Sequence, residues 1–258
     1  MFEFVLVAEG KTDERVVTCL VNRVLCEEGD DWIRDNFEDD PERLWKWAAL
    51  EEGTEHQYTS WTRIKQLADS YKNGLHIYRR PGDGDRKAET RKAIALCRLL
   101  RKDGLPDALI LARDLDKKPE EHRMAMIQAR EEARQRFTGS PQIILATPNR
   151  VIEVWMLNGF VCDNESEESR LKSLRQEVGF DPCRNGHQLS SDAAKESIRR
   201  LITNSDGFAD KARMEKCWKT DLKTLRERGE DSFLADFLDE VSLYLLPVLT
   251  DRPGTRDF

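Results

Sequence analysis

Residues 4–17 read FVLVAEGKTDERVV, and that stretch decides the fold. Phe4, Val5, Leu6, Val7 and Ala8 form an unbroken apolar run of strand length, which Glu9-Gly10 stops. Thr12 then offers an N-cap, with Asp13 and Glu14 in the first turn, where the helix dipole favours anions. As far as residue 28, Val16, Val17, Leu20, Val21 and Val24 recur at helical spacing and make one apolar stripe. A strand with no polar face that leads into an amphipathic helix reads as the opening of a β-α unit. The carboxylate of Glu9 at the tip of so buried a strand needs a partner, either a cation or a metal.

The pattern recurs along the chain. GLHIYRR (74–80) reads as a second strand, followed by a turn at PGDGD and a helix from about 86 to 101. DALILARDLD (107–116) reads as a third strand, 120–137 as a helix and QIILATP (142–148) as a fourth strand. These strands are too apolar to have one wet face, so the expectation is an α/β fold with a parallel four-stranded sheet flanked by helices. Residues from about 27 to 73 read as an acidic insertion carrying Trp32, Trp45 and Trp47, with a helix at 57–72. The tryptophans either pack on the domain or dock a partner. Beyond residue 160 only helical patterns remain, at 165–178, 190–203, 208–228 and 231–249. The domain expectation is therefore 1–160, catalytic, and 161–258, helical.

Composition narrows the class. The 258 residues are 39% hydrophobic and 35% charged, enough for a core and a solvated surface, and the net charge of -7 argues against non-specific coating of nucleic acid. An enzyme of this charge can still act on nucleic acid if its cations are local and metal ions offset its carboxylates. No apolar run approaches the roughly 18 residues of a membrane span. Six scattered cysteines without a CxxC pair, and a start at Met-Phe-Glu without a basic and apolar leader, lead to the expectation of a cytoplasmic protein.

Ligands of parallel α/β sheets bind at the carboxyl ends of strands. Glu9 ends the first strand, and Asp114 and Asp116 end the third, at a spacing that points both carboxylates to one side of an extended segment. Converging carboxylates repel one another unless a cation intervenes, and hard oxygen donors of this kind suit Mg²⁺ or Mn²⁺.

VAEGKTDE and LILARDLD, in that order and on those strands, resemble the TOPRIM domain of topoisomerases, bacterial primases and several nuclease families. TPNRVIEVWML (147–157) is similar to a segment of TOPRIM nucleases of the OLD class and their small stand-alone relatives. The resemblance covers roughly residues 1–160 without the insertion. It implies that Glu9, Asp114 and Asp116 are catalytic and bind metal, that Asp13 and Glu153 complete the ligand set, and that two ions of Mg²⁺ or Mn²⁺ are held. It further implies a metal-dependent nuclease of prokaryotic phage defence or DNA repair. A catalytic lysine is also implied, for which Lys195, Lys211 and Lys216 all remain open. The chain carries no GxxxxGK[ST], so any ATP dependence calls for a separate ATPase subunit.

The basic stretch 78–92 supplies Arg79, Arg80, Arg86 and Lys87 as candidates for the phosphate backbone, against the alternative of a solvated helix start. Nucleic acid is the expected partner, DNA ahead of RNA; no membrane is expected, and an oligomer is compatible with the sequence. The alternatives are a TOPRIM ribonuclease and a non-catalytic sensor or partner subunit of an ATPase-containing defence complex.

Overall fold

The structure, a computed structural model, describes residues 1–39, 43–54, 56–71, 84–101, 104–203 and 210–250. Two compact units emerge: residues 1–113, 120–146 and 239–258 form the first, and residues 114–119 and 147–238 the second. They do not follow a single cut at residue 160. The stretch 147–160 belongs with the helices that follow it.

The first unit is an α/β layer structure. Strand β1 (Phe2–Ala8) leads to helix α1 (Lys11–Glu28) and the short helix α2 (Asp31–Asp39). Strands β2 (Trp45–Ala48) and β3 (Thr59–Ser60) and helices α3 (Trp61–Ser70) and α4 (Asp85–Leu100) come next, then β4 (Ala108–Ala112), α5 (Pro119–Arg136) and β5 (Gln142–Ala146). All strand pairs are parallel, in the order β2-β1-β4-β5, with β3 also paired to β1. Val7 aligns with Leu111 on β4 and with Thr59 on β3, so β3 lies on the edge of β1 opposite β4. Every residue of β4 is buried, as is β1 from Phe4 to Ala8, which is why neither strand alternates in polarity. The stripe of α1 is buried as the spacing predicts, with Leu25 added to it.

The expected insertion turns out to hold part of the sheet. β2 pairs residue by residue with Phe2–Val5, and β3 takes Val7 and Ala8, so the described sheet has five strands where the sequence suggested four. The acidic surroundings hid the alternation of Trp45-Lys46-Trp47-Ala48. Trp45 stacks on Phe4 at 5.9 Å and on Phe37 at 5.3 Å, while Trp47 meets Phe4 edge-on at 5.6 Å. Both indole N–H groups donate to Asn22 Oδ1, at 2.9 and 3.2 Å, so these two tryptophans fasten the edge strand to α1. The expected strand 74–80 lies outside the described residues.

The second unit is helical. It holds α6 (Ile152–Asn158), α7 (Glu165–Val178), α8 (Pro182–Asn185), α9 (Ser191–Ile202), α10 (Lys211–Trp218) and α11 (Leu222–Gly229). The expected helix at 208–228 is two helices, because Asp221 starts a new one by accepting the Thr224 N–H. The expected helix at 231–249 is likewise two, α12 (Leu234–Tyr244) and α13 (Leu246–Thr250). Gly159 ends α6 where only a glycine fits: a Cβ there would sit 1.7 Å from the Cys217 carbonyl oxygen.

One buried charge ties the first unit together. The Arg101 guanidinium donates to the Ala49 and Leu50 carbonyls (2.7 and 3.1 Å) and pairs with Glu3 (3.1 Å) and Glu52 (3.2 Å). Replacing it leaves two carbonyls without their donor and a half-buried Glu3 with only Lys46 beside it. Arg101→Ala should therefore lose roughly 3–5 kcal/mol of stability, read from the urea midpoint. A change within 0.5 kcal/mol would show that this network is dispensable.

Candidate active site

In the first unit, the tip of β1 meets a cation. Arg113 follows β4 directly; its backbone N–H donates to Ala146 O (2.9 Å), and its guanidinium pairs with Glu89 at 2.8 Å and Glu9 at 3.6 Å. Beneath it lies the Trp61 ring, 4.5 Å from the guanidinium carbon, and the Trp61 indole donates to Ala112 O (2.7 Å). Glu9 itself is 39% exposed on its side chain, against 12% for Arg113. A partner cation is thus part of the answer to why Glu9 is tolerated there. Asp13 is buried, and its Oδ2 accepts the Gly10 N–H at 3.1 Å. The helix begins at Lys11 with Gly10 as N-cap, two residues before the expected N-cap Thr12, because Asp13 reaches back to close it.

In the second unit, the DxD segment makes a tight structure with α6 and α9. Asp114 is buried, and its Oδ1 accepts the Ile152 N–H (3.0 Å) at the start of α6. Asp116 and Arg150 both adopt left-handed backbone, at φ 51° and 88°, which costs a non-glycine residue of order 1–3 kcal/mol. They hold each other there. The Asp116 N–H donates to Arg150 O (3.1 Å), and Arg150 Nη1 donates to Asp116 O (3.0 Å), while Arg150 Nε donates to His187 O (3.3 Å). Ser191 Oγ lies 3.5 Å from Asp116 Oδ1.

Glu153 occupies the first turn of α6. Its Oε2 is buried with no hydrogen-bond partner, and burial pushes its pKa up, opposed by its own backbone N–H and by the Lys195 ammonium. Trp155, the next residue but one, stacks on Phe237 at 5.1 Å and donates its indole N–H to Ser232 O (2.9 Å), which fixes the helix that presents the acid. Among the three lysines the sequence left open, Lys195 is the one whose charge acts on Glu153, whereas Lys216 pairs with Asp163 at 2.5 Å.

Among the described residues no three His, Cys, Asp or Glu side chains gather closely enough to cage a metal. The donors still suit Mg²⁺, which keeps several waters and takes one or two carboxylates together with substrate phosphates. The partnerless Glu153 oxygen is the observation that fits such an ion: a buried carboxylate lacking a donor is stabilised by a cation.

Of the basic stretch, Arg79 and Arg80 lie outside the described residues. Lys87 sits in the first turn of α4, where its ammonium pairs with Glu132 of α5 at 2.9 Å and donates to Gln128 at 3.2 Å. Arg91 joins the same carboxylate at 2.5 Å. Arg86, on that turn too, is half-buried. The residues that sequence reasoning missed are Arg113, Arg150 and His187. Arg113 alone carried a signal, as a cation set directly before the DxD.

A scan against protein-family models finds no match, and searches of curated proteins and of solved structures find none.

The buried Glu153 carboxyl predicts a pH signature. Its folded pKa lies above the unfolded value, so the folded state holds the proton longer. Stability on this account falls as pH rises from the unfolded pKa through the raised folded one, and the loss is complete above it. Glu153→Gln should be more stable than the wild type at pH 7, with the gap closing as pH falls towards 4. Thermal unfolding across pH 4–8 without divalent ions reads this out, and a gap independent of pH would contradict it. Added Mg²⁺ should stabilise the wild type more than Glu153→Gln.

Proposed function

We propose that this chain is a divalent-metal-dependent phosphodiesterase of TOPRIM-like organisation, a DNA nuclease of prokaryotic phage defence or DNA repair. The observation that carries the reading is the Glu153 oxygen buried without a partner in the first turn of α6, next to the Ile152 N–H that Asp114 accepts. Left-handed backbone at Asp116 and Arg150 adds to it, because such strain concentrates at functional sites.

Glu153 together with Asp114 or Asp116 would hold Mg²⁺ or Mn²⁺, as one or two carboxylates alongside substrate phosphates; when bound, the ion supplies charge stabilisation for a phosphodiester and lowers the pKa of a coordinated water. Lys195, exposed on α9, offers its ammonium to the phosphate oxygens and balances Glu153. Arg150 keeps the Asp116 carbonyl in place, so the segment does not need to reorganise when substrate arrives. From the sequence resemblance, Glu9 is assigned as a further metal ligand or as proton acceptor for the attacking water, and Asp13 as part of the ligand set.

A second reading, a non-catalytic subunit docking an ATPase partner, is favoured by the structural roles of the same acids: Asp114 caps α6, Asp13 closes α1 and Glu9 pairs with Arg113. Asp114→Asn separates the two. Asparagine keeps an oxygen to accept the Ile152 N–H, so a purely capping role predicts unchanged behaviour. The nuclease reading predicts a loss of several kcal/mol in the transition state, at least about a hundredfold in cleavage rate. The assay follows supercoiled, linear and single-stranded DNA, and RNA, with Mg²⁺ or Mn²⁺ and with EDTA. Glu9→Gln should lose activity similarly. Cleavage that survives EDTA, or full activity in Asp114→Asn, would sink the proposal, and preference for RNA would move it to a ribonuclease.

A further inference from the structure

Beyond the acidic cluster, the second unit carries a cavity of about 460 Å³ between α7 and the end of α9. Its described lining is Ser169, Arg170 and Ser173 of α7, Arg199 and Arg200 of α9, and Thr203: three guanidinium groups and three hydroxyls, with no carboxylate among the described lining residues. Two of the hydroxyl protons are already committed, Ser173 to the Ser169 carbonyl (3.0 Å) and Thr203 to the Arg199 carbonyl (2.5 Å). The guanidinium groups are therefore its main donors. Arg170 holds Thr203 O through Nη1 at 2.5 Å, and its Nε is buried with no partner. Arg199 and Arg200 pair with Glu196 and Glu177 at 2.8 and 2.9 Å, outside the lining. Exposed ion pairs of this kind contribute little, so a phosphate displaces them at small cost.

The helix that carries these arginines also reaches the acidic cluster. Ser191, Lys195 and Arg199 follow one another at intervals of four residues, which stacks them on one stripe of α9. Ser191 faces Asp116, Lys195 acts on Glu153 and Arg199 opens into the cavity. Eight residues of helix rise about 12 Å, and a strand advances about 3.4 Å of axis per nucleotide, so the stripe spans about three nucleotides.

We infer that the α7–α9 groove, lined by Arg170, Arg199 and Arg200, is a phosphate-backbone subsite that holds a nucleic-acid strand as it leaves the Asp114–Glu153 cluster. The inference deepens the nuclease reading and rests on it for the substrate class. A chain of net charge -7 needs a local cationic track to approach a polyanion.

Arg199→Ala/Arg200→Ala removes two exposed groups, and Lys219→Ala/Lys223→Ala removes the same charge from positions that do not line the groove. Fluorescence anisotropy with a labelled 20-nucleotide single strand and its duplex, in Ca²⁺ across a KCl series, gives the slope of log affinity against log salt. The groove variant should bind more weakly, with a slope shallower by about 1.4–1.8. The control pair should keep the wild-type slope, and circular dichroism should show all three proteins folded with similar melting temperatures. Equal slopes in the groove variant and the wild type, an equal loss in the control, or no strand bound by the wild type would each overturn the inference. Cleavage in Mg²⁺ is scored separately. Groove-dependent binding without cleavage would refute the nuclease reading alone, and cleavage with an unchanged salt slope in the groove variant would refute the groove alone.

Discussion

Strands buried on both faces leave polar chemistry only at their ends, and that constraint organises the first unit. β1 and β4 lie side by side with no polar side chain from Phe4 to Ala8 or from Ala108 to Ala112. Charge first becomes affordable at Glu9 and Arg113, where the strands run out. The two charges meet, and Arg113 is held from three further directions by the Ala146 carbonyl, Glu89 and the Trp61 ring. The Ala146 carbonyl holds the backbone N–H, while Glu89 and the Trp61 ring confine the guanidinium.

The second unit meets the complementary problem of keeping acids where they resist being. Asp116 and Arg150 sit in backbone conformations that β-carbons disfavour, and three hydrogen bonds through Arg150 offset the strain. Glu153 is buried without a donor on Oε2, one turn from a helix body locked by Trp155, Phe237 and the buried Asn158–Ser232 pair. A buried carboxylate without a donor is stabilised when a cation stands beside it.

Cations in this acidic protein divide by what stands opposite them. Lys87 and Arg91 converge on Glu132 and join α4 to α5; Arg213 is bidentate to Glu167 at 2.7 and 2.8 Å and holds α10 to α7. Those pairs serve packing. Arg170, Arg199 and Arg200 border a cavity with no acid among its described lining residues, and the pairs of Arg199 and Arg200 with Glu196 and Glu177 are exposed. Sequence density of basic residues is thus a poor guide to anion binding, since an arginine's availability depends on which helix packs against it.

By itself the sequence determined the alternation of buried strand and amphipathic helix, since apolar runs and 3.6-residue periods are local properties: β1, α1, α4, β4, α5 and β5 fall within a few residues of their expected places. It also marked Glu9, Asp114 and Asp116 as acids at strand ends, where charge is chemically informative, and Glu153 through the resemblance of the segment 147–157. It did not reveal that Trp45–Ala48 and Thr59–Ser60 complete the sheet, because a two- or four-residue strand is specified by the partner edge it pairs with. Nor did it show that Arg113 answers Glu9, that Arg150 clamps Asp116, or that Lys195 rather than Lys216 acts on Glu153. Those relations join residues between 34 and 104 positions apart. Only the tertiary structure decides them, because a side chain's electrostatic partner is whatever folding brings within a few ångströms, and no local pattern in the chain encodes that distance.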